Sequence, residues 1–370
     1  MAGRIVLFGA TGYTGRLTAD ALVRRGQRPV IAGRDASRLS ALADSLGGLE
    51  TVVADSERPE SVHALVGFGD VLVSAVGPFS LLGAPAVEAA LRAGAHYVDC
   101  SGEPQFVRDI FERHGPRAEE AGCALLTGIG FDWVAGTLAG ALALREAGED
   151  AAGVEIGYFS PGTTVTTSVS PGTRATLVSV MAEQAFAWRG GRLVTVRPMS
   201  SRRTFALPSG RAEAVSVGAA EHITLPRLAP GLRDVGVYIG WLGPASRPTQ
   251  ALMLATSFAV GVPGVKTGLQ SLATTIARTT SEGPNAAERA RTRSLVVAEA
   301  RDAHGAPLSE VRMEGIDPYE LSGRLLAWVA AEAVEGRLRG VGALGPVEAF
   351  GLDALAAGVE ASGLSVMSAH

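Results

Sequence analysis

Lysine is nearly missing from this 370-residue chain: Lys266 stands alone among 33 lysines and arginines. No tyrosine has a lysine four residues on, so a Tyr-x-x-x-Lys proton relay is excluded, and a lysine-assisted amino-acid dehydrogenase mechanism is disfavoured. Any proton donor must come from Tyr, His, Asp, Glu, Cys or water. Cysteine is also scarce. Cys100 and Cys123 form no CxxC pair and sit among strand-like apolar residues, which fits buried thiols in a reducing, cytoplasmic setting better than a disulfide or a metal site. The first residues run straight into a strand, leaving no signal peptide to expect. Charge is sparse too, at 19%, with a formal net of -4; no basic face is available for nucleic acid or anionic lipid. The longest apolar run, 251–265, contains Pro263 and falls short of the ~20 residues a membrane-spanning helix needs. It reads as a buried helix followed by a loop, with no integral membrane segment.

What is present is apolar: 47% of the residues are hydrophobic, ample for a large core in a chain of two-domain length. Up to about residue 130, short β-branched runs alternate with amphipathic stretches. Strands are expected at 4–8, 29–32, 51–54, 71–75, 96–99 and 124–127, and helices at 14–25, 37–46, 59–66, 84–93 and 104–120. That alternation predicts parallel βαβ units in a doubly wound, Rossmann-type sheet of the α/β class. Beyond residue 148 the text turns rich in Thr, Val, Ser and Arg. Residues 151–315 therefore read as a second α+β domain with a mostly antiparallel sheet, serving substrate binding and dimerisation. It includes a helix at 175–187 and a hairpin formed by 296–300 and 309–315. From Pro318 the pattern is helical again, at 321–335 and 352–362.

The first strand runs into Gly9-Ala10-Thr11-Gly12-Tyr13-Thr14-Gly15 and then a helix. Gly9 permits the tight turn, Gly12 lets a pyrophosphate approach the backbone, and Gly15 brings helix and strand close. The helix N-terminus then offers its free amides to the phosphates. The strand–turn–helix context is what raises this above a chance glycine string. Domains selective for NAD place an acid at the end of the second strand; here Gly33 is followed by Arg34, with Arg38 one turn on. A guanidinium can pair bidentately with a 2′-phosphate, so NADPH is the expected cofactor. The competing reading gives the ribose to Asp35 and leaves Arg34 solvated. Asp55, ending the third strand, either meets the adenine amino group or caps the helix near Pro59.

Several motifs, in order, resemble the saccharopine-dehydrogenase-like reductases: 71–79 (VLVSAVGPF), 97–103 (YVDCSGE) and 128–132 (GIGFD). The likeness is weaker at Ser170-Pro171-Gly172-Thr173, at 315–319 (GIDPY) and at 346–351 (PVEAFG). The family includes trans-acting enoyl reductases serving polyketide synthases as well as saccharopine reductases. The resemblance implies that Val76, Gly77, Pro78 and Phe79 line the nicotinamide end, and that Ser101–Glu103 and Phe131-Asp132 border the substrate cleft. It also implies that C-terminal helices, 316–370, return to pack on the nucleotide domain. The chain departs from the family where Trp133 follows Asp132 in place of a small polar residue. Trp133 is then either a pocket wall or core.

Ligands gather at the carboxyl ends of parallel strands, which favours Ser101, Glu103 and Asp132 as catalytic candidates. Glu103 also reads as an acid at a helix start. Both acids follow glycine-containing turns expected to be wet, so neither should be the sole acid. Ser170 and Thr173 either cap the helix after them or bind a substrate carbonyl or phosphate. His96, His114, His222 and Tyr238 read as structural, the last two on strands. Three functions remain open. The first is an NADPH-dependent reductase of an activated double bond, foremost the C=C of a small or carrier-tethered enoyl thioester in polyketide or lipid biosynthesis. The second is a C=N reductase of the saccharopine type, drawing on Arg174, Arg197, Arg202 and Arg203 for carboxylates. The third is a non-catalytic NADP sensor. A homodimer is the candidate assembly.

Overall fold

The computed structural model describes residues 3–161, 170–181, 183–240 and 283–367, with three isolated positions at 268, 271 and 275. The apolar run 251–265 and Lys266 lie outside the described residues.

The first sheet contains β1 (Ile5–Phe8), β2 (Val30–Gly33), β3 (Thr51–Val53), β4 (Val71–Ser74), β5 (His96–Asp99) and β6 (Ala124–Leu126). It is ordered β6-β5-β4-β1-β2-β3 with every pair parallel. β1, β2 and β4 are buried along their whole length, as strands covered on both faces must be. β3 is the exposed edge. Helices expected from the sequence lie between them within a residue, except that the one expected at 59–66 ends at His63. The stretch expected as one helix at 104–120 is instead Pro104–Asp109, a wider π turn at Ile110–His114, and Gly115–Ala121. Pro116 has no N–H to give the regular ladder, which accounts for the break.

The second sheet is built from β7 (Gly153–Phe159), β8 (Ala185–Arg189), β9 (Arg192–Val196), β10 (Arg202–Leu207), β11 (Gly210–Ser216), β12 (Asp234–Ile239), β13 (Ser294–Arg301) and β14 (Pro307–Gly315). Its pairings are antiparallel except β7 with β12, which run parallel. The helix expected at 175–187 is displaced: it spans Pro171–Met181, and Ala185–Arg189 is strand. Two local signals explain the correction. Ser170 Oγ accepts from the Thr173 amide, starting the helix at Pro171. Gly190 and Gly191, at φ 57° and 76°, make the left-handed two-residue turn of a β8–β9 hairpin. His222, expected on a strand, lies in the helix Glu221–Leu228.

The C-terminal segment crosses between the two sheets. Helix Pro318–Val334 packs on Tyr13–Arg24, where a Cβ on Gly323 would stand 2.9 Å from Leu17 Cβ. β15 (Gly342–Ala343) then adds to the first sheet beside β6. β16 (Leu364–Val366) pairs with β14 in the second. A buried helix, Gly136–Ala147, lies against β7, β13 and β14 and joins the two halves. Gly140 lets it approach: a Cβ there would stand 2.9 Å from Leu225 and 3.1 Å from Ile156. Among the described residues no helix is long and apolar enough to cross a membrane. No group of three metal-ligating side chains is found among them either.

Candidate active site

The strand order reverses beside β1, between β2 and β4, and ligands of such sheets bind outside the carboxyl ends at that point. The chain leaving β1 forms the glycine loop. Gly9 has φ 85°, and a Cβ there would stand 2.8 Å from the Val76 side chain. A Cβ on Gly15 would be 2.2 Å from the Gly9 carbonyl oxygen, so only glycine lets this helix begin so near the strand. At Gly12 a Cβ would approach nothing but the Gly9 oxygen, at 3.2 Å. The surface above that residue is open. The helix Tyr13–Arg24 has no side-chain cap and no acid in its first turn, so its N-terminal amides and partial positive charge face outward, as a diphosphate requires.

At the end of β2, Asp35 serves as a helix cap: its Oδ1 accepts from the Arg38 amide at 3.0 Å, at the start of Ala36–Ser45. Arg34 is exposed, and Arg38 reaches back to donate to the Thr11 carbonyl at 3.0 Å. Two guanidiniums thus flank the loop. Asp55 is not the helix cap, a place Arg58 takes; its Oδ1 accepts from the Glu57 amide at 3.0 Å to close a turn.

Beyond β4, residues 76–79 are tied down by Glu103. Its carboxylate accepts from the Phe79 amide at 2.6 Å, the Ser80 amide at 2.9 Å and the Ser80 hydroxyl at 2.5 Å, with the Thr176 hydroxyl at 3.3 Å. Glu103 is fully buried. The expectation of a wet acid is corrected there: a carboxylate holding two amides and two hydroxyls is a clamp for the loop. Ser101 is enclosed as well, at 1% exposure, its hydroxyl accepting from the Glu103 amide at 3.2 Å. Beside them Asp99 Oδ1 accepts from the Ser101 and Gly128 amides and the Thr127 hydroxyl at 2.8, 3.0 and 3.0 Å. Burial nevertheless pushes its carboxyl up to about 6. These bonds fasten the ends of β5 and β6 together.

After β6 the backbone makes an unusual turn. Trp133 has φ 79° and ψ -49°, a left-handed conformation for a bulky residue, which persists only where the surroundings over-determine it. Here they do. The indole Nε1 donates to the Ser101 carbonyl and the Trp133 amide to the Tyr158 hydroxyl, both at 2.9 Å. Phe131 and Trp133 are buried at 3% and 5%, so both belong to the core and back the site without facing solvent. Between them, Asp132 is open to solvent. Protein encloses its carboxylate on the remaining sides, and that desolvation pushes it up to about 6. It lies close enough to raise the Tyr158 and Tyr319 hydroxyls and the Glu221 carboxyl.

Tyr158, Glu221 and Arg289 carry no motif or spacing that singles them out in the sequence, while Tyr319 closes the 315–319 stretch, which assigns it no role. Tyr319 comes after the capping Asp317 and Pro318 in the first turn of Pro318–Val334, a helix-start signal that could have placed it at the sheet edge. Its hydroxyl accepts from the Ser170 amide at 2.9 Å and shares a hydrogen with Thr173 Oγ1 at 2.8 Å. Its ring meets Tyr13 edge-on, 5.1 Å between centroids. Tyr13, from the glycine loop, donates to the Pro284 carbonyl at 2.5 Å and accepts from Arg289 at 3.1 Å. Ser170 and Thr173 are therefore brought to the same edge as Tyr13 and Asp132, with Ser170 also serving as a cap. A separate cavity of about 280 Å³, lined by Trp188, His222 and Tyr238, lies between β8 and β12, away from this edge.

Residues 5–126 match the family described as the saccharopine dehydrogenase NADP binding domain. That likeness covers the N-terminal part of the chain. Stretches of 136 to 155 residues are also similar to curated proteins described as trans-acting enoyl reductases. One, from Mycobacterium ulcerans, is 36% identical over 155 residues, covering 40% of this chain and 37% of the relative. Another, from Mycobacterium leprae, is 37% identical over 136 residues, 35% of this chain and 32% of the relative. The matched region thus spans little more than a third of those proteins. Among solved structures, an apo saccharopine dehydrogenase (L-Glu forming) from Saccharomyces cerevisiae superposes over 100% of both chains, with a TM-score of 0.58 and 13% identity. That likeness concerns the fold, which extends beyond the NADP-binding domain to the second sheet.

Proposed function

We propose that the chain is an NADPH-dependent reductase of an activated carbon–carbon double bond, with an enoyl thioester as its substrate. The observation that carries this reading is Asp132, an acid open to solvent at the sheet edge whose carboxyl the protein packed around it pushes up to about 6. It stands at the same sheet edge as an open glycine loop flanked by two guanidiniums. The name of the mycobacterial relatives supports the substrate class. The two unpaired thiols suit a reducing, cytosolic setting.

Residues around the loop would hold the cofactor. The amides at the start of Tyr13–Arg24 receive the diphosphate, and Arg34, with Arg38, pairs with the 2′-phosphate. The chemistry such a cofactor supplies is hydride transfer. The substrate's carbonyl oxygen gains charge as its β-carbon is reduced, and needs a donor. The Phe79 and Ser80 amides are already taken by Glu103. The Gly77 and Gly102 amides remain as candidates, Gly102 on a residue where a Cβ would meet nothing within 4 Å. Asp132 then holds the proton destined for the α-carbon, directly or through a water. Glu103 and Ser101 position the loop and do not touch substrate.

Arginine usage supports C=C over C=N reduction. Arg202 pairs with Glu213, and Arg203 with Glu155 and Glu299, so at least these two of the four arginines named for an amino-acid carboxylate are already occupied. The test is NADPH oxidation by the purified protein against crotonyl-CoA, longer enoyl thioesters and cyclic imines. Turnover with enoyl thioesters alone supports the reading, and turnover with imines alone replaces it. Tight NADPH binding with no turnover on either set favours the sensor.

A further inference from the structure

Tyr158, on β7, sends its hydroxyl under the strained turn. The phenol oxygen accepts from the Trp133 and Gly136 amides, each at 2.9 Å, and donates to Glu221 Oε1 at 2.5 Å. One hydrogen and two lone pairs are all a phenol has, and each is used. The packing admits no substitute. A Cβ on Gly136 would lie 2.1 Å from the Tyr158 oxygen and 2.4 Å from Glu221 Oε1, so glycine is required there for the hydroxyl to reach both amides. The Tyr158 ring stands edge-on to Phe131 and Trp133, with centroids 5.3 and 6.2 Å away. Residues on both sides of Asp132 are therefore held by one side chain from the second sheet. Glu221 is fully buried, and its Oε2 has no partner.

We propose that Tyr158 and Glu221 are a positioning pair for Asp132: Glu221 accepts the phenol hydrogen, which turns both lone pairs toward the Trp133 and Gly136 amides and locks the left-handed turn that presents Asp132 to the sheet edge. This deepens the reductase reading and rests on it for its functional consequence. The geometry makes the order of dependence plain. Without the phenol oxygen, two enclosed amides lose their acceptor and the turn loses the contact that over-determines it. Without an acceptor at Glu221, the phenol hydrogen competes for the space of an amide. A glutamine at 221 still offers a carbonyl oxygen, so the pair needs an acceptor there and no charge.

The test reads Asp132 itself, with no substrate present. The protein is labelled with ¹³C at aspartate carboxyls, and the Asp132 resonance is assigned by its loss in Asp132→Asn. The groups facing this carboxylate are Tyr158 from β7, Glu221 from Glu221–Leu228 and Tyr319 from Pro318–Val334. Wild type should titrate near 6. Tyr158→Phe and Glu221→Ala should bring Asp132 down by about one unit or more, toward the usual value of about 4, as the turn relaxes into water. Glu221→Gln should leave it within a few tenths of wild type. NADPH affinity should hold in all three variants, while kcat with crotonyl-CoA falls about tenfold or more in the first two and is retained in Glu221→Gln. If Tyr158→Phe does not fold, the Glu221→Ala and Glu221→Gln contrast carries the same test. An unchanged Asp132 titration in folded Tyr158→Phe and Glu221→Ala overturns the proposal, even if their melting temperatures fall. The expected titration shifts without enoyl turnover in wild type would leave the positioning intact and sink the reductase reading instead.

Discussion

The two halves of the site are built in opposite ways. The cofactor half is a continuous run, residues 9–15, where Gly9 and Gly15 answer steric demands made by nearby protein atoms and Gly12 leaves open space above it. The proposed substrate half is assembled from five separated places: Glu103, Asp132, Tyr158, Glu221 and Tyr319. Its decisive feature is a backbone turn that its own sequence disfavours, held by a side chain more than 20 residues away along the chain. A glycine loop carries its geometry with it. A left-handed tryptophan has its geometry imposed, and can be undone from a distance.

The sharpest way to break this comparison is at Gly12. The residue has φ -72°, so a side chain is conformationally allowed, and its Cβ would press only on one carbonyl oxygen at 3.2 Å. Gly12→Val should therefore keep the fold and fill the diphosphate's space. NADPH affinity should drop by more than about 100-fold, roughly 2.7 kcal/mol, with the melting temperature nearly unchanged. A variant that unfolds would show that the loop too depends on packing its local sequence does not reveal.

Legibility in the sequence divides along the same line. The parallel strands and the glycine loop were legible because each rests on local periodicity or on a few adjacent residues. Asp132 was visible as an acid after a parallel strand, but its neighbours were not: Tyr158, Glu221 and Tyr319 come from elements that only the tertiary fold brings together. Glu103 was misjudged as wet for the same reason, since its partners Phe79, Ser80 and Thr176 lie on other elements. The Gly190-Gly191 turn, in contrast, was a local signal that the alanine-rich text around it masked.

The next effect belongs to the imposed half and reads as a slope. Burial pushes Glu221 from an ordinary value of 4.5 up to about 8, so in the native state it keeps a proton that the unfolded chain releases. The stabilisation is fully present below pH 4.5 and is lost as pH rises toward 8, at a limiting slope of about 1.4 kcal/mol per pH unit for one proton. Glu221→Gln removes that proton exchange while retaining an acceptor for Tyr158. Denaturant unfolding from pH 4 to 9 should show the variant gaining on wild type through pH 5–8 and then levelling. Parallel curves would mean that Glu221 is ionised in the native protein and that Tyr158 is held by a charge.

Asp132→Asn separates presentation of the acid from its chemistry. The amide keeps the shape of the turn and loses the proton, so turnover with an enoyl thioester should fall about 10- to 100-fold, the usual range for an acid–base group, without disappearing. NADPH affinity should not change. Because the wild-type group is protonated below about 6, kcat should decline as pH rises past that value, and the decline should be missing from the variant. An identical pH profile in both proteins would take Asp132 out of the proton path.

Arg34→Ala makes the smallest change and tests whether the cofactor half is as self-contained as its sequence suggests. Arg34 is exposed, and Asp35 spends its carboxylate oxygen on the Arg38 amide, so Arg34 is the nearest charge free to meet a 2′-phosphate. Wild type should bind NADPH at least about tenfold more tightly than NADH, roughly 1.4 kcal/mol, and the variant should lose most of that preference while NADH affinity stays the same. The interaction is solvent-exposed, so the preference should also shrink as salt is raised. Arg38, which donates to the Thr11 carbonyl inside the loop, should behave differently: Arg38→Ala should weaken both cofactors together. If Arg34→Ala keeps the full preference and Arg38→Ala abolishes it, the selecting charge is the one anchored to the loop, and specificity resides in the fold of residues 9–15 rather than at the end of β2.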